Sequence, residues 1–196
     1  MPDLTNKITL VTGSTKGIGK SIAEAFIDKG SMVIIHGRNR AEIEKIKASI
    51  GAFACVDGDL GTSEGCDSVI EQLASLGQVD VLVNNAGIFG VEDFFEIGDE
   101  EWLRYFQVNV MSTVRLCRAL MPSMLENDYG RIINVSSEAA IKPLPQMIHY
   151  SMTKTSLVSL SRGLAELTKG TGVTVNSVLP LSLIHISEPT RLKTRS

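Results

Sequence analysis

The chain has no run of basic residues, no apolar stretch long enough to span a bilayer, and no cysteine and histidine cluster at metal-ligand spacing. Each absence argues against a class of function. A formal net charge of −3 with both signs interspersed speaks against nucleic acid as the main partner. A membrane partner is not expected either, and the N-terminus lacks a charged head followed by an apolar segment. A cytoplasmic protein is therefore the expectation. Cys55, Cys66 and Cys117 are odd in number and scattered, which fits reduced thiols used as small apolar residues. No metal is expected.

What is present points to one domain. The chain has 196 residues, 43% of them hydrophobic, enough for a real core. Residues 12–19, Thr12-Gly13-Ser14-Thr15-Lys16-Gly17-Ile18-Gly19, stand between an apolar β-branched run at 8–11 and a helical pattern in which Ile18, Ile22, Ala25 and Phe26 recur, with Lys20 and Glu24 opposite. Strand, glycine turn and helix together make a cradle for phosphate. Glycine allows a tight turn and close approach, and a helix N-terminus offers unpaired N–H groups and a positive dipole end.

Further strands are expected at 32–36, 52–56, 79–83, 130–135 and 174–179. Helices are expected to about 29, then at 41–49, 63–75, 99–125 and 149–169, with Asp99 as a cap and Pro122 ending or bending the fourth. Six strands alternating with helices predict an α/β fold, a doubly wound parallel sheet.

Four motifs in this order resemble those of the short-chain dehydrogenase/reductase family, over residues 4–180. Thr12 to Gly19 is similar to its TGxxxGIG loop, Asn84-Asn85-Ala86-Gly87 to its NNAG, Asn134 to Ser137 to its N-x-S-S, and Tyr150 to Lys154 to its YxxxK. The resemblance, β-ketoacyl-carrier-protein reductase-like in its breadth, implies a Rossmann fold. It also implies an oxidoreductase moving hydride between nicotinamide and a carbonyl or secondary alcohol. Four positions, Asn109, Ser137, Tyr150 and Lys154, match its catalytic set. Gly13, Thr15, Lys16, Gly17, Ile18, Gly19, Asp59, Leu60, Asn85, Ala86 and Gly87 match its cofactor positions, together with Tyr150 and Lys154. By the same resemblance Asp59 accepts from the adenine amino group, and Asn109 holds a water that links Lys154 into a proton relay. Asn84 and Ser136 are expected to be structural.

The residues make chemical sense on their own terms. Tyr150 and Lys154 are one helical turn apart, and an ammonium beside a phenol favours the phenolate, which suits a general acid or base. Ser137 follows a strand at the end where ligands bind in open α/β sheets. Gly37 stands where NAD-binding folds carry an acid, Arg38 follows it, and Lys16 lies in the glycine loop; two cations without a carboxylate suit a 2′-phosphate, so NADP(H) is the expected cofactor. A binding protein that senses NADP(H) without turnover is the alternative, disfavoured by the complete catalytic set. His36 and His149 read as packing or surface groups.

The resemblance to the family stops after Pro180. Leu181 to Arg191 looks like a translated transposase adapter from sequencing-library preparation, so the domain is taken as 1–180, with 181–196 a non-native tail. The family's seventh strand is then missing, an open edge is expected at Val173, Val175 and Val178, and the chain is expected to be a poorly active, truncated piece. By the same resemblance, which pairs the two long helices across subunits, a homo-oligomer, dimer or tetramer, is expected for the full-length parent; Met111, Val114, Leu157 and Leu160 either form that face or pack on the sheet. A small-molecule carbonyl or alcohol is the expected substrate.

Overall fold

Short β-branched runs bounded by turns form six strands: β1 (Ile8–Val11), β2 (Met32–Gly37), β3 (Ala54–Asp57), β4 (Val81–Asn84), β5 (Gly130–Val135) and β6 (Val173–Val178). They come from a computed structural model that describes residues 4–181, so all but the first residue of the expected tail lies outside the described residues. Every pairing is parallel, in the order β3-β2-β1-β4-β5-β6. The order reverses between β1 and β4, the switch point at whose C-terminal strand ends open α/β sheets bind their ligands. The glycine turn after β1 and the turn after β4 meet at that point. A Cβ built on Gly13 would lie 2.9 Å from the Cα of Ala86.

Among the described residues six α-helices cover the sheet: α1 (Gly17–Ile27), α2 (Arg40–Ile50), α3 (Ser63–Ala74), α4 (Asp99–Phe106), α5 (Ser112–Glu126) and α6 (Ile148–Leu167). Strand side chains alternate between faces, so the core has two layers. Leu10, Ile34, Leu82 and Ile132 pack with Val69, Leu116 and Met124 on one side. Val11, Val33, Ile35 and Val83 pack with Ala23 and Ile43 on the other.

Local expectations needed correction in three places. The inner face of α1 is Gly19 and Ala23, with Ile22 and Phe26 beside them, whereas Ile18 and Ala25 are exposed. The expected helix over 99–125 is three pieces, because Gln107–Met111 winds as a π-helix between α4 and α5, and Gly98 rather than Asp99 is the N-cap. Pro122 lies inside α5 without ending it; it and Arg118 one turn earlier are exposed, so water can reach the backbone where the proline removes a helical hydrogen bond. The open edge expected at the sixth strand is present among the described residues, where β6 pairs with β5 alone; the side chains of Val173 and Val175 nonetheless face the core, and that of Val178 is 49% exposed.

Candidate active site

The cradle at the end of β1 is built by three glycines and clipped from β4. Gly13 and Gly17 adopt φ of 60° and 54°, the left-handed region that favours glycine. Gly19 needs its missing side chain for another reason, since a Cβ there would fall 2.3 Å from the Gly13 carbonyl oxygen and 2.4 Å from Asn85 Nδ2. Asn85 Nδ2 donates to the carbonyls of Thr12 and Gly13 at 3.0 and 3.1 Å. Thr12 Oγ1 in turn accepts from the N–H groups of Asn85 and Ala86, both at 2.9 Å. The helix that follows starts at Lys16 with no side-chain cap, so its first N–H groups remain available to an anion.

Charge is arranged around the end of β2. Lys16 and Arg38 are exposed and have no ion pair among the described residues. The carboxylate that could compensate them, Asp57, is taken by Arg40 at 3.0 Å. Gly37 cannot carry an acid without rearrangement, because a Cβ would meet Thr15 Cγ2 at 2.6 Å and Ile43 Cγ1 at 3.1 Å. Asp59 is exposed, with Oδ1 accepting from the Gly61 N–H at 2.9 Å. The side chain of Leu60 is buried in the core beside α3, which leaves its backbone for a ligand.

His36 is a packing group, one of the two alternatives expected, and its contacts with the glycine cradle were not foreseen. It is buried, not on the surface, and both ring nitrogens are engaged: Nδ1 accepts from the Gly13 N–H at 3.1 Å, and Nε2 donates to the Gly58 carbonyl at 3.1 Å. Burial holds the imidazole down to about 4, against the opposing pull of the Gly58 carbonyl, Asp57 and Asp59. A histidine ending a strand beside a glycine loop was the available signal; its partners are distant in sequence.

Of the four expected catalytic residues, Ser137 lies in the turn after β5, Tyr150 and Lys154 on α6, and Asn109 on the π-helix. Lys154 is only 5% exposed, and Nζ donates to the Val135 carbonyl at 2.9 Å while standing 5.6 Å from the centre of the Tyr150 ring. Burial lowers Lys154 to about 8. Ser136 ties the same helix down by donating to the Lys154 carbonyl at 2.8 Å. Ser137 Oγ accepts from the Ala139 N–H at 3.1 Å, which leaves its own proton free to donate. Thr155 Oγ1 donates to the Ala140 carbonyl at 2.9 Å and so fixes the Ser137 turn against α6.

Asn109 behaves differently from a residue that merely presents its amide. Its Nδ2 donates to the Ile88 carbonyl and to Thr153 Oγ1, both at 3.0 Å, and its Oδ1 accepts from the Ile88 N–H at 2.8 Å. Both amide protons are therefore committed, and a water would find only the remaining acceptor capacity of Oδ1 or backbone groups of the π-helix. Gly87 is next to both groups. A Cβ on it would lie 3.2 Å from Asn109 Oδ1 and 3.5 Å from Lys154 Nζ. Phe89, 74% exposed, sets its ring edge-on to Tyr150 with centroids 6.4 Å apart. Asn84 is structural in its contacts, donating to Asn134 Oδ1 at 2.8 Å inside the sheet.

Comparison with known proteins matches residues 7–183 to the short chain dehydrogenase family model. The chain belongs to that family. The short chain dehydrogenases use nicotinamide cofactors and transfer hydride, so this protein is an oxidoreductase. It is 51% identical over 180 residues to the uncharacterized oxidoreductase YvrD of Bacillus subtilis strain 168, covering 90% of this chain and 68% of that protein. Among solved structures, L-sorbose reductase from Gluconobacter frateurii, complexed with NADPH and L-sorbose, has a TM-score of 0.85 at 35% identity, covering 91% of this chain and 71% of that one. A 3-oxoacyl-[acyl-carrier protein] reductase from Brucella melitensis with bound NAD has a TM-score of 0.86 at 29% identity, covering 92% and 72%. Among the described residues, no helix is long and apolar enough to cross a membrane.

Proposed function

We propose that this short chain dehydrogenase is NADP(H)-dependent and interconverts a small ketone or aldehyde with its alcohol, using Tyr150 as general acid and base. The observation that carries the reading is Lys154, a buried amine fixed by Val135 beneath the Tyr150 ring. When bound, NADPH supplies the hydride to the carbonyl carbon. Ser137, with a free proton, donates to the carbonyl oxygen and stabilises the negative charge that develops there. Tyr150 delivers its phenolic proton to the same oxygen, or removes it in the reverse direction. Lys154 replenishes that proton, and Asn109, across the gap above Gly87, holds the water that passes it inward.

The cofactor is held by the uncapped turn of α1 and by Asn85, Ala86 and Gly87 at the crevice, with Asp59 at the adenine. Lys16 and Arg38 meet the 2′-phosphate; among the described residues they have no ion pair, whereas Asp57 is already neutralised by Arg40. NADP(H) is thus favoured over NAD(H). The exposed ring of Phe89 beside Tyr150 favours a substrate with an apolar group next to its carbonyl. Three buried free thiols suit a reducing, cytoplasmic setting. A second copy of the chain packs against an apolar groove of about 280 Å³ between α5 and α6, lined by Val114, Cys117, Met121, Leu160, Leu164 and Leu167. Leu157 does not belong to that face, being 1% exposed and part of the core.

The test is NADPH and NADH consumption by the full chain over a panel of uncharged ketones, with dinucleotide binding measured separately. Tyr150→Phe is expected to lower turnover about 100-fold or more, a typical worth of general acid catalysis, while binding NADPH normally. Unchanged turnover in that variant would overturn the assignment.

A further inference from the structure

The hydrogen bonds of His36 go to two glycines that flank the crevice at different strand ends, and neither goes to the core layers. Gly13 opens the turn after β1, and Gly58 opens the turn after β3 that leads to Asp59. The β2 backbone adds two more links, since Ser14 N–H donates to the His36 carbonyl at 3.0 Å and the His36 N–H donates to Ser14 Oγ at 2.9 Å. Those two links would survive any change of side chain at position 36; the bonds to Gly13 and Gly58 would not.

We infer that His36 is a positioning residue for the cofactor, a strut whose neutral Nε2–H tautomer sets the spacing and the peptide orientation of the two turns that receive the adenylate half of the dinucleotide. This rests on the dinucleotide reading above. The Nδ1 lone pair holds the Gly13 N–H inward, toward β2, and so fixes which way that peptide faces at the mouth of the cradle. Gly13 has the left-handed φ of 60° and no side chain to lock it, so this acceptor stops the peptide from turning. The Nε2–H holds the Gly58 carbonyl, and Asp59 follows directly. The imidazole stays uncharged at neutral pH, as an acceptor at Nδ1 requires. Hydride and proton transfer take place at Tyr150 and Lys154, beyond the reach of this strut, so its loss should weaken binding without slowing the chemical step.

Two half-isosteres separate the two bonds. The amide oxygen of Asn can stand where Nδ1 stands and keep the Gly13 bond, and the amide nitrogen of Gln can stand near Nε2 and keep the Gly58 bond; Phe keeps the volume and neither bond. The experiment measures NADP+ affinity by titration calorimetry on the full chain and on its His36→Asn, His36→Gln and His36→Phe variants. Thermal melts and kcat at saturating cofactor are recorded alongside. Expected is a loss of at least 10-fold in affinity for His36→Phe, partial recovery in His36→Asn and His36→Gln, and kcat within 2-fold throughout. Equal affinity in all four proteins would refute the strut, as would kcat falling in step with affinity and melting temperature, the mark of a general loss of structure. If His36→Phe does not fold, the two amide variants decide by the same criteria. Failure of the unsubstituted chain to bind NADP+ or NAD+ would remove the dinucleotide reading and the strut with it.

Discussion

Lys154 and Val135 are joined by a 2.9 Å hydrogen bond from a buried ammonium to the last carbonyl of β5. The bond uses one of three N–H donors and aims the rest at the space below Tyr150. Keeping a charged amine there is costly, which is why burial lowers Lys154 from its ordinary 10.5 to about 8. Such a cost at the end of a sheet is the pattern of a functional site, and it motivates the proposed role of Lys154.

Carbonyl reduction should therefore slow as pH rises through about 8, because the Lys154 proton that replenishes Tyr150 is then lost. The pH profile of kcat for ketone reduction at saturating NADPH checks this; a flat profile from pH 7 to 9.5 contradicts it.

Arg38→Asp should reverse cofactor preference, and Lys16→Ala should weaken it. Each lost charge-assisted contact is worth about 1.5–3 kcal/mol, so the NADPH/NADH ratio of kcat/KM should fall by roughly 10- to 100-fold per contact. An unchanged ratio in Arg38→Asp rules out its contact with the 2′-phosphate.

Gly87→Ala places a methyl between Asn109 Oδ1 and Lys154 Nζ, at 3.2 and 3.5 Å. Those distances need only a small shift of side-chain atoms, so the fold should survive while turnover drops about 10-fold or more as the proton path fills. Melting temperature and kcat measured on the same sample separate the two effects.

His36 predicts a loss of stability in acid. Its ordinary value is 6.5 and its folded value about 4, so folding favours the neutral ring. The contribution is complete above 6.5 and is lost as pH falls toward 4, reaching about 3 kcal/mol by linkage. Urea melts from pH 7 to 4.5 should show a steeper decline for the unsubstituted chain than for His36→Asn.

His149→Phe should stabilise the fold. The ring is fully buried beside Trp102 and Tyr105, at centroid distances of 5.9 and 4.1 Å, and neither ring nitrogen has a hydrogen-bond partner among the described residues. Replacing it with an apolar ring removes a penalty of about 1–3 kcal/mol for each unsatisfied nitrogen. A lower melting temperature would show that an ordered group meets those nitrogens.

Much of this protein was legible in its residues because the signals are local. Ile8–Val11 followed by a glycine turn and an amphipathic helix defines its own unit, and the i, i+4 spacing of Tyr150 and Lys154 puts them on one helical face whatever surrounds them. Alternating strands and helices dictated a parallel sheet, since parallel neighbours need crossovers. Contacts across 20 to 75 residues were not legible, because nothing local encodes which strands become neighbours. Only the packed order β3-β2-β1-β4-β5-β6 brings His36 between Gly13 and Gly58, sets Asn85 beneath the glycine loop and buries Lys154 under β5. The surroundings of Leu60, Leu157 and Asn109 were illegible for the same reason: a residue's type and position suggest a role, but tertiary packing buries the side chains of Leu60 and Leu157 and gives the Asn109 amide its partners Ile88 and Thr153.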